Sequence, residues 1–427
     1  MILFEGKLLQ DDKLDEVLER LWESCLSAII NREDIVERVM YACERVATKL
    51  RNGQYDSIVQ QLLSKGTITE KQFDEAVSLF DRNNLKLKYD VELGIYRREV
   101  ESNLYAGKVK YVEPLGILFH IAAGNAEGLP FYSVLEGLLS GNVNILKLPS
   151  MDDGLSILLL YEIIKEEPTL APYVCVLDVS SNNMEIMRKV ATMADGIVVW
   201  GGDAAIQAVR AYAEPNTQII SWGHKLSFAY VTEEVLTNQH MQQELYALAR
   251  HMCDTKQVLC SSCQGIYIDS DDRRVLEAVG NKYFEILKEV SRSYPEESIG
   301  VRGKISITLY NEELENSLGE KTILREGEVS VIINTDSKLE LSHMFRNCWV
   351  KPLLRNDIVR VLKENKGYLQ TVGLICKDED RELLVKELVK AGVVRITHGG
   401  NMSEVMPGGA HDGEYPLRRY CKIVEVE

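Results

Sequence analysis

The chain has 427 residues, 45% of them hydrophobic and 27% charged, enough to bury cores in two or three domains. Its net charge of −16 argues against nonspecific nucleic-acid binding, which depends on phosphate neutralisation, and against docking on anionic membranes. The nine cysteines are scattered, Met1-Ile-Leu-Phe runs at once into Glu5 and Lys7, and no apolar run approaches a membrane helix, so a cytoplasmic protein with reduced thiols and no membrane span is expected.

The first 90 residues read as helices. Leu14, Val17, Leu18 and Leu21 recur at helical spacing, as do Ile35, Val36, Val39, Met40 and Cys43. Thr69 with Gln72 makes a capping-box start for a helix around Phe73–Phe80. Glu99–Val112 alternates enough to predict an extended pair turning at Ala106-Gly107. Short apolar strands then follow at Leu115–Ala122, Asn142–Leu146, Cys175–Val179, Gly196–Trp200, Gln218–Ser221 and Phe228–Val231. Helical segments at Pro130–Leu139, Gly154–Glu166, Asn183–Ala194 and Ala204–Ala213 separate them. This alternation predicts a parallel sheet covered on both faces. A second block starts near Thr237. It has helices at Gln239–His251, Val275–Val290, Ile358–Glu364 and Glu382–Ala391, and strands at Gly265–Ile268, Val329–Asn334 and Val372–Cys376. A glycine-rich loop, Gly408–Gly413, leads to a last strand over Arg419–Val426.

Four segments carry residues suited to chemistry. Gln257-Val-Leu-Cys260-Ser261-Ser262-Cys263-Gln264 places a cysteine in a polar turn, where a nucleophilic thiolate needs exposure and nearby donors. The alternatives are a buried small apolar residue, or a metal or redox role for Cys253, Cys260 and Cys263. No second ligand pair at zinc spacing exists, so no metal is expected. Glu113-Pro-Leu-Gly116 through His120 to Asn125 is a buried strand ending in an asparagine. That amide either donates to a developing oxyanion or makes a turn. Gly141-Asn142 through Lys147-Leu-Pro149-Ser150 delivers a lysine to a strand's carboxyl end, to meet a ribose or phosphate or merely solvent. Trp200-Gly201-Gly202-Asp203 opens a helix, so its backbone can approach a pyrophosphate, or Asp203 serves as a simple N-cap.

In this order, with Gly223-His224-Lys225 between the glycine pair and the cysteine, the segments resemble the aldehyde dehydrogenase superfamily from about Tyr96 onward. Leu-Cys260-Ser-Ser-x-Gln264, Leu-Lys147-Leu-Pro-Ser and the tail His411-Asp-Gly413 resemble its long-chain acyl-CoA reductases of bacterial bioluminescence. The resemblance implies an α/β fold with two Rossmann-like parallel-sheet domains, a small bridging and oligomerisation sheet and an N-terminal helical segment. It implies helices over 1–95 packed on a cofactor domain at 96–236, which includes a bridging hairpin at 96–112. A catalytic domain at 237–405 and a tail at 406–427 joining the bridging sheet complete the division. It implies Cys260 as nucleophile, Asn125 as oxyanion donor, and Lys147, Ser150, Gly201, Gly202 and Gly223 as cofactor contacts in a homo-oligomer. His224 is a candidate for lowering the thiol pKa or handling protons.

Two departures from the superfamily matter. Where typical members carry Glu-Leu-Gly-Gly-Lys, this chain reads Ser221-Trp222-Gly223-His224-Lys225, without the carboxylate that activates hydrolytic water. No acidic residue follows directly at Ser150-Met151 to repel a 2′-phosphate, which favours NADPH, with NADH as the other cofactor. The expected activity is reduction of acyl-CoA or another acyl thioester to an aldehyde through an S-acyl-cysteine, with an acyl-transferring partner enzyme as an additional expectation. The alternatives are a short-chain CoA-acylating aldehyde dehydrogenase using NAD, and a non-catalytic scaffold of the same fold.

Overall fold

Two seven-stranded sheets account for the alternating apolar runs. The computed structural model describes residues 1–55, 59–60, 70–102, 109–122, 128–149, 154–316, 319–404 and 406–427. They form two units, Met1–Gly223 with Met406–Glu427, and His224–Val405.

In the first unit the strands are β1 (Ile2–Phe4), β2 (Lys7–Leu9), β3 (Val109–Pro114), β4 (Ile117–Ile121), β5 (Val143–Lys147), β6 (Val174–Leu177), β7 (Gly196–Trp200) and β8 (Gln218–Trp222). The sheet order is β2-β1-β6-β5-β4-β7-β8, parallel from β6 to β8 with an antiparallel β1–β2 edge. Strands covered on both faces need apolar residues throughout, and β5 and β6 are buried along their whole length. Each leucine or isoleucine so buried contributes roughly 1.5–3 kcal/mol. The chain steps outward from β4 to β5 and β6, then returns to β7 on the other side of β4. That reversal opens a crevice at the strands' carboxyl ends, the usual ligand position in open α/β sheets.

The second unit contains β9 (Leu226–Val231), β10 (Cys263–Ile268), β11 (Thr322–Glu326), β12 (Val329–Ile333), β13 (Asn347–Pro352), β14 (Leu369–Ile375) and β15 (Arg395–Thr397). Their order is β11-β12-β13-β10-β9-β14-β15, with β11 the antiparallel member. The last strand, β16 (Cys421–Val426), returns to the first unit and pairs antiparallel with β3 from Cys421↔Pro114 to Val426↔Val109.

The fold departs from the sequence reading in several places. The amino terminus is a hairpin, not helix, turning at Glu5-Gly6, both left-handed. Leu3 pairs with Val176. Its three-residue strands are too short to show a period. Glu99–Ser102 belongs to the helix Ile95–Ser102, so the predicted hairpin over 96–112 is not formed. Its second half is β3, paired instead with β16, and Ala106-Gly107 lies outside the described residues. The division falls at Gly223/His224 rather than near 237, because β9 is held between β10 and β14. The helix Ile299–Glu315 and strand β13 were not anticipated. In β13, Lys351 interrupts the apolar pattern yet is fully buried, its ammonium held by Asp336 at 2.9 Å and Glu340 at 2.6 Å. The helix Glu70–Ser78 is present, while Thr69 of its capping box lies outside the described residues.

Candidate active site

Cys260 sits in the turn between the helix Gln239–Thr255 and β10. The helix stops because Lys256 and Gln257 both turn left-handed, at φ 48° and 61°. Such a conformation costs a non-glycine residue about 1–3 kcal/mol, so its surroundings must impose it. Cys260 is exposed; the other eight cysteines are buried or half-buried. Burial pushes the Cys253 and Cys263 thiols up to about 12, and Cys263 donates to the Gly265 carbonyl at 3.2 Å. The Cys-x-x-Cys is therefore one exposed and one inward residue, because Cys263 already belongs to the strand. Among the described residues no group of three side chains could hold a metal.

Hydrogen bonds fix the turn on every side. Ser227 of β9 donates to the Cys260 carbonyl at 2.7 Å and accepts the Thr371 N–H of β14 at 3.0 Å. The Leu259 N–H reaches Ser262 Oγ at 3.0 Å, and the Ser262 N–H returns to the Leu259 carbonyl at 3.0 Å. Ser261 and Ser403 share a hydroxyl bond of 2.7 Å. The Cys263 N–H points to His251 Nε2 at 3.3 Å. Burial pushes His251 down to about 4, so the ring is neutral at pH 7 and its proton sits on Nδ1. Ser227 and Ser403 lie far from Cys260 along the chain, and His251, nine residues before it, sits inside the preceding helix, so none carried a signal in the sequence. Cys260 thus stands at the amino end of its own sheet. His224, just ahead of β9, is exposed rather than packed into its turn, and Lys225 beside it donates to the Gly367 carbonyl at 2.8 Å.

In the first unit the predicted cofactor contacts that the structure describes lie at the carboxyl ends of three parallel strands, β5, β7 and β8, with β4 between β5 and β7. Lys147 ends β5, Gly201-Gly202 follow β7, and Gly223 follows β8. Asn125 and Ser150 lie outside the described residues. Lys147 is only 4% exposed, and among the described residues its ammonium makes no hydrogen bond. Burial holds its pKa below the ordinary value, with the Asp178 charge acting against that. A lysine at the carboxyl end of a parallel strand is placed to meet a ribose or phosphate. A Cβ on Gly202 would meet nothing within 4 Å, which leaves room before the helix Asp203–Tyr212 for a pyrophosphate. The residues present therefore fit a dinucleotide. Ser221 lies in β8 and brings no carboxylate.

Beneath this edge, His120 of β4 is fully buried and pushed down to about 4, hence neutral. Asn144 Nδ2 donates to the Asn142 carbonyl at 2.7 Å, so its Oδ1 is the acceptor for His120 Nε2–H at 3.0 Å. His120 Nδ1 then accepts the Ser133 hydroxyl at 2.7 Å, and Ser133 accepts Trp200 Nε1–H at 3.0 Å. The chain of bonds permits one tautomer and locks the ends of β4 and β7 together. A Cβ on Gly137 would fall 1.8 Å from Asn144 Oδ1, so this close approach requires glycine. The tail's His411 meets Trp200 and Trp222 edge-on at 5.1 and 4.9 Å between ring centres, and the two tryptophans lie tilted at 5.6 Å.

The acyl-CoA reductase (LuxC) family model matches residues 32–423. The chain is 25% identical to a long-chain acyl-protein thioester reductase of Aliivibrio fischeri over 74% of this chain and 64% of that protein. Identity is 26% with the long-chain acyl-protein thioester reductase 2 of Photobacterium leiognathi, over the same shares. The chain thus spans less than two thirds of these relatives' length. Among solved structures it is similar to a 3,6-anhydro-L-galactose dehydrogenase in complex with NAP, a nicotinamide cofactor. The TM-score is 0.71 at 12% identity, covering 100% of this chain and 99% of that one. A variant of Thermus thermophilus 1-pyrroline-5-carboxylate dehydrogenase gives 0.72 at 12%, covering 100% and 92%. These likenesses establish an aldehyde dehydrogenase-like fold. With its matched segment running from Arg32 through the Cys260 turn to Ile423, the chain belongs to the acyl-CoA reductase (LuxC) family.

Proposed function

We propose that this chain reduces an acyl thioester to an aldehyde, with NADPH as hydride source and Cys260 carrying the acyl group. The observation behind this reading is the single exposed cysteine in a turn fixed by hydrogen bonds, within a chain of the acyl-CoA reductase (LuxC) family. Cys260, as thiolate, adds to the thioester carbonyl. The Asn125 amide and the Cys260 N–H hold the resulting oxyanion, each such donor lowering the barrier by about 3 kcal/mol. The carbonyl re-forms as the thiol of the acyl donor leaves, and Cys260 keeps the acyl group. A nicotinamide held by the dinucleotide contacts of the first unit would supply the hydride needed to reduce this acyl carbon. The thiohemiacetal then collapses, returning Cys260 as thiolate and releasing aldehyde. Exposed His224 exchanges the protons, while Lys147, Ser150, Gly201, Gly202 and Gly223 hold the dinucleotide. Ser221, in place of a carboxylate base, leaves water unactivated and preserves the acyl-enzyme for reduction.

The relatives' names point to a long-chain acyl group on a protein, so an acyl-transferring partner is the proposed donor alongside acyl-CoA. A homo-oligomer is supported by the two-stranded β3–β16 ribbon, which exposes Val109, Tyr111, Ile423, Val424 and Val426 and is marginal by itself. Among the described residues no helix is long and apolar enough to cross a membrane, and the proposed location is the cytoplasm.

Radiolabelled acyl thioesters of graded chain length test the reading. Labelled protein, digested and mapped, is expected to carry the acyl group on Cys260. In Cys260→Ala both label and aldehyde disappear while NADPH still binds by fluorescence titration. Aldehyde formed by Cys260→Ala, or label on another residue, sinks the proposal.

A further inference from the structure

Gln257 and Cys263 stand three residues to either side of Cys260, and one side chain joins them. Gln257 is fully buried. Its Nε2 donates to the Cys263 carbonyl at 3.0 Å and lies 3.2 Å from Ser342 Oγ and 3.3 Å from the Asn347 carbonyl. Its Oε1 accepts the Arg346 N–H at 2.9 Å, and its own carbonyl accepts Gln264 Nε2 at 3.0 Å. An amide both accepts and donates here, which an ionised carboxylate of the same shape cannot do.

The opposing turn is itself unusual. Met344, Phe345 and Arg346 are all left-handed, at φ 61°, 49° and 71°, and the Asn347 N–H closes onto the Met344 carbonyl at 3.0 Å. Two successive positive φ values are those of a type I′ turn, which ordinarily takes Asn-Gly rather than Phe-Arg. The Arg346 guanidinium is buried, donating to Glu328 at 2.9 Å, Ser291 Oγ at 3.2 Å and the Pro295 carbonyl at 2.6 Å. The Phe345 N–H reaches the Lys256 carbonyl at 3.1 Å. Lys256 and Gln257 therefore face Met344, Phe345 and Arg346, five strained non-glycine residues whose bonds hold one another. Strain of this kind persists only where the surroundings over-determine it, and it gathers where geometry serves function.

We propose that Gln257 is the positioning residue for Cys260, tying the Met344–Arg346 turn to Cys263 so that the sulfur is presented in one orientation. The consequence for turnover rests on Cys260 as the acyl carrier; the consequence for the sulfur itself does not. Gln257→Glu keeps the shape and the acceptor for Arg346 but, when ionised, sets a carboxylate against two carbonyls. Alkylation of Cys260 by iodoacetamide, followed by peptide mapping across the thiol titration range, reads the sulfur without substrate. The variant is expected to shift the pH profile of alkylation away from wild type, and to approach it again at low pH as the introduced carboxyl regains a donor. Turnover of the thioester is expected to fall about 100-fold, with its KM changed far less. Ser342→Ala removes one acceptor of the Gln257 amide and shifts the same profile by a smaller amount. It decides the matter if Gln257→Glu does not fold. Folded variants that keep the wild-type alkylation profile overturn the proposal. Normal alkylation of wild-type Cys260 with no aldehyde formed would sink the functional reading instead, leaving the alkylation comparison to judge this one.

Discussion

The two sheets both bury polar side chains but differ in what they do at the strand ends. The first buries closed networks beneath its strands, His120–Ser133–Asn144–Trp200 and Lys88–Glu92–Glu136, and leaves Lys147 without a hydrogen bond among the described residues. The second also buries a cation, Lys351 on Asp336 and Glu340, but at its amino edge polar groups hold one turn so that Cys260 is exposed while Cys263 is not. Satisfied networks under a sheet supply stiffness. A turn held by side chains presents a nucleophile that the strand itself would have buried. The difference teaches that polar residues at burial sites are informative chiefly through their partners.

Four measurements break or sharpen this contrast. The largest effect is expected from Lys88→Met. Lys88 reaches Glu136 at 2.9 Å and also pairs with Glu92, and both carboxylates are buried. Losing that cation should cost about 3–5 kcal/mol in chemical denaturation, and a change near zero would show that the network is dispensable.

Next comes pH. His120 and His251 titrate near 4 when folded and near 6.5 when unfolded, so below 6.5 the unfolded chain binds more protons. Their stabilising contribution is complete above 6.5 and lost as pH falls toward 4, at about 1.4 kcal/mol per pH unit for each. Melting temperature should fall accordingly, and His120→Gln should flatten the slope by about half.

Lys147→Met should raise the KM for NADPH by about tenfold, the worth of one charge-assisted hydrogen bond, with little change in the thioester KM. Equal effects on both would place Lys147 outside cofactor binding. The smallest effect belongs to Cys263→Ala, expected to cost about 1 kcal/mol of stability and to leave turnover within about twofold of wild type. Damage as severe as that of Cys260→Ala would restore a paired role for the two cysteines.

Much of the fold was readable because a strand buried on both faces must be apolar throughout. Gly196–Trp200 coincides with its strand, and the helices before and after it lie within a few residues of expectation. Strand β13 was missed because Asn347 and Lys351 break the run, and their partners Ser330, Asp336 and Glu340 are set by folding. For the candidate site, the sequence supplied the residue types, and the structure places Cys260 in an exposed turn and Lys147 and the glycine pair at strand ends. The choice of Cys260 over Cys263 came from the family resemblance rather than from the segment's own pattern, since both occupy the same polar stretch.

Residue order alone determined the succession of elements, the family likeness and the list of chemically able side chains, because these depend on local pattern and spacing. Tertiary structure decided where the units divide, which strand borders which, and why the turn at Cys260 holds its shape. Those outcomes rest on bonds between residues tens to more than a hundred positions apart, such as Ser227 with Thr371 and Gln257 with Arg346, and no local period encodes such bonds.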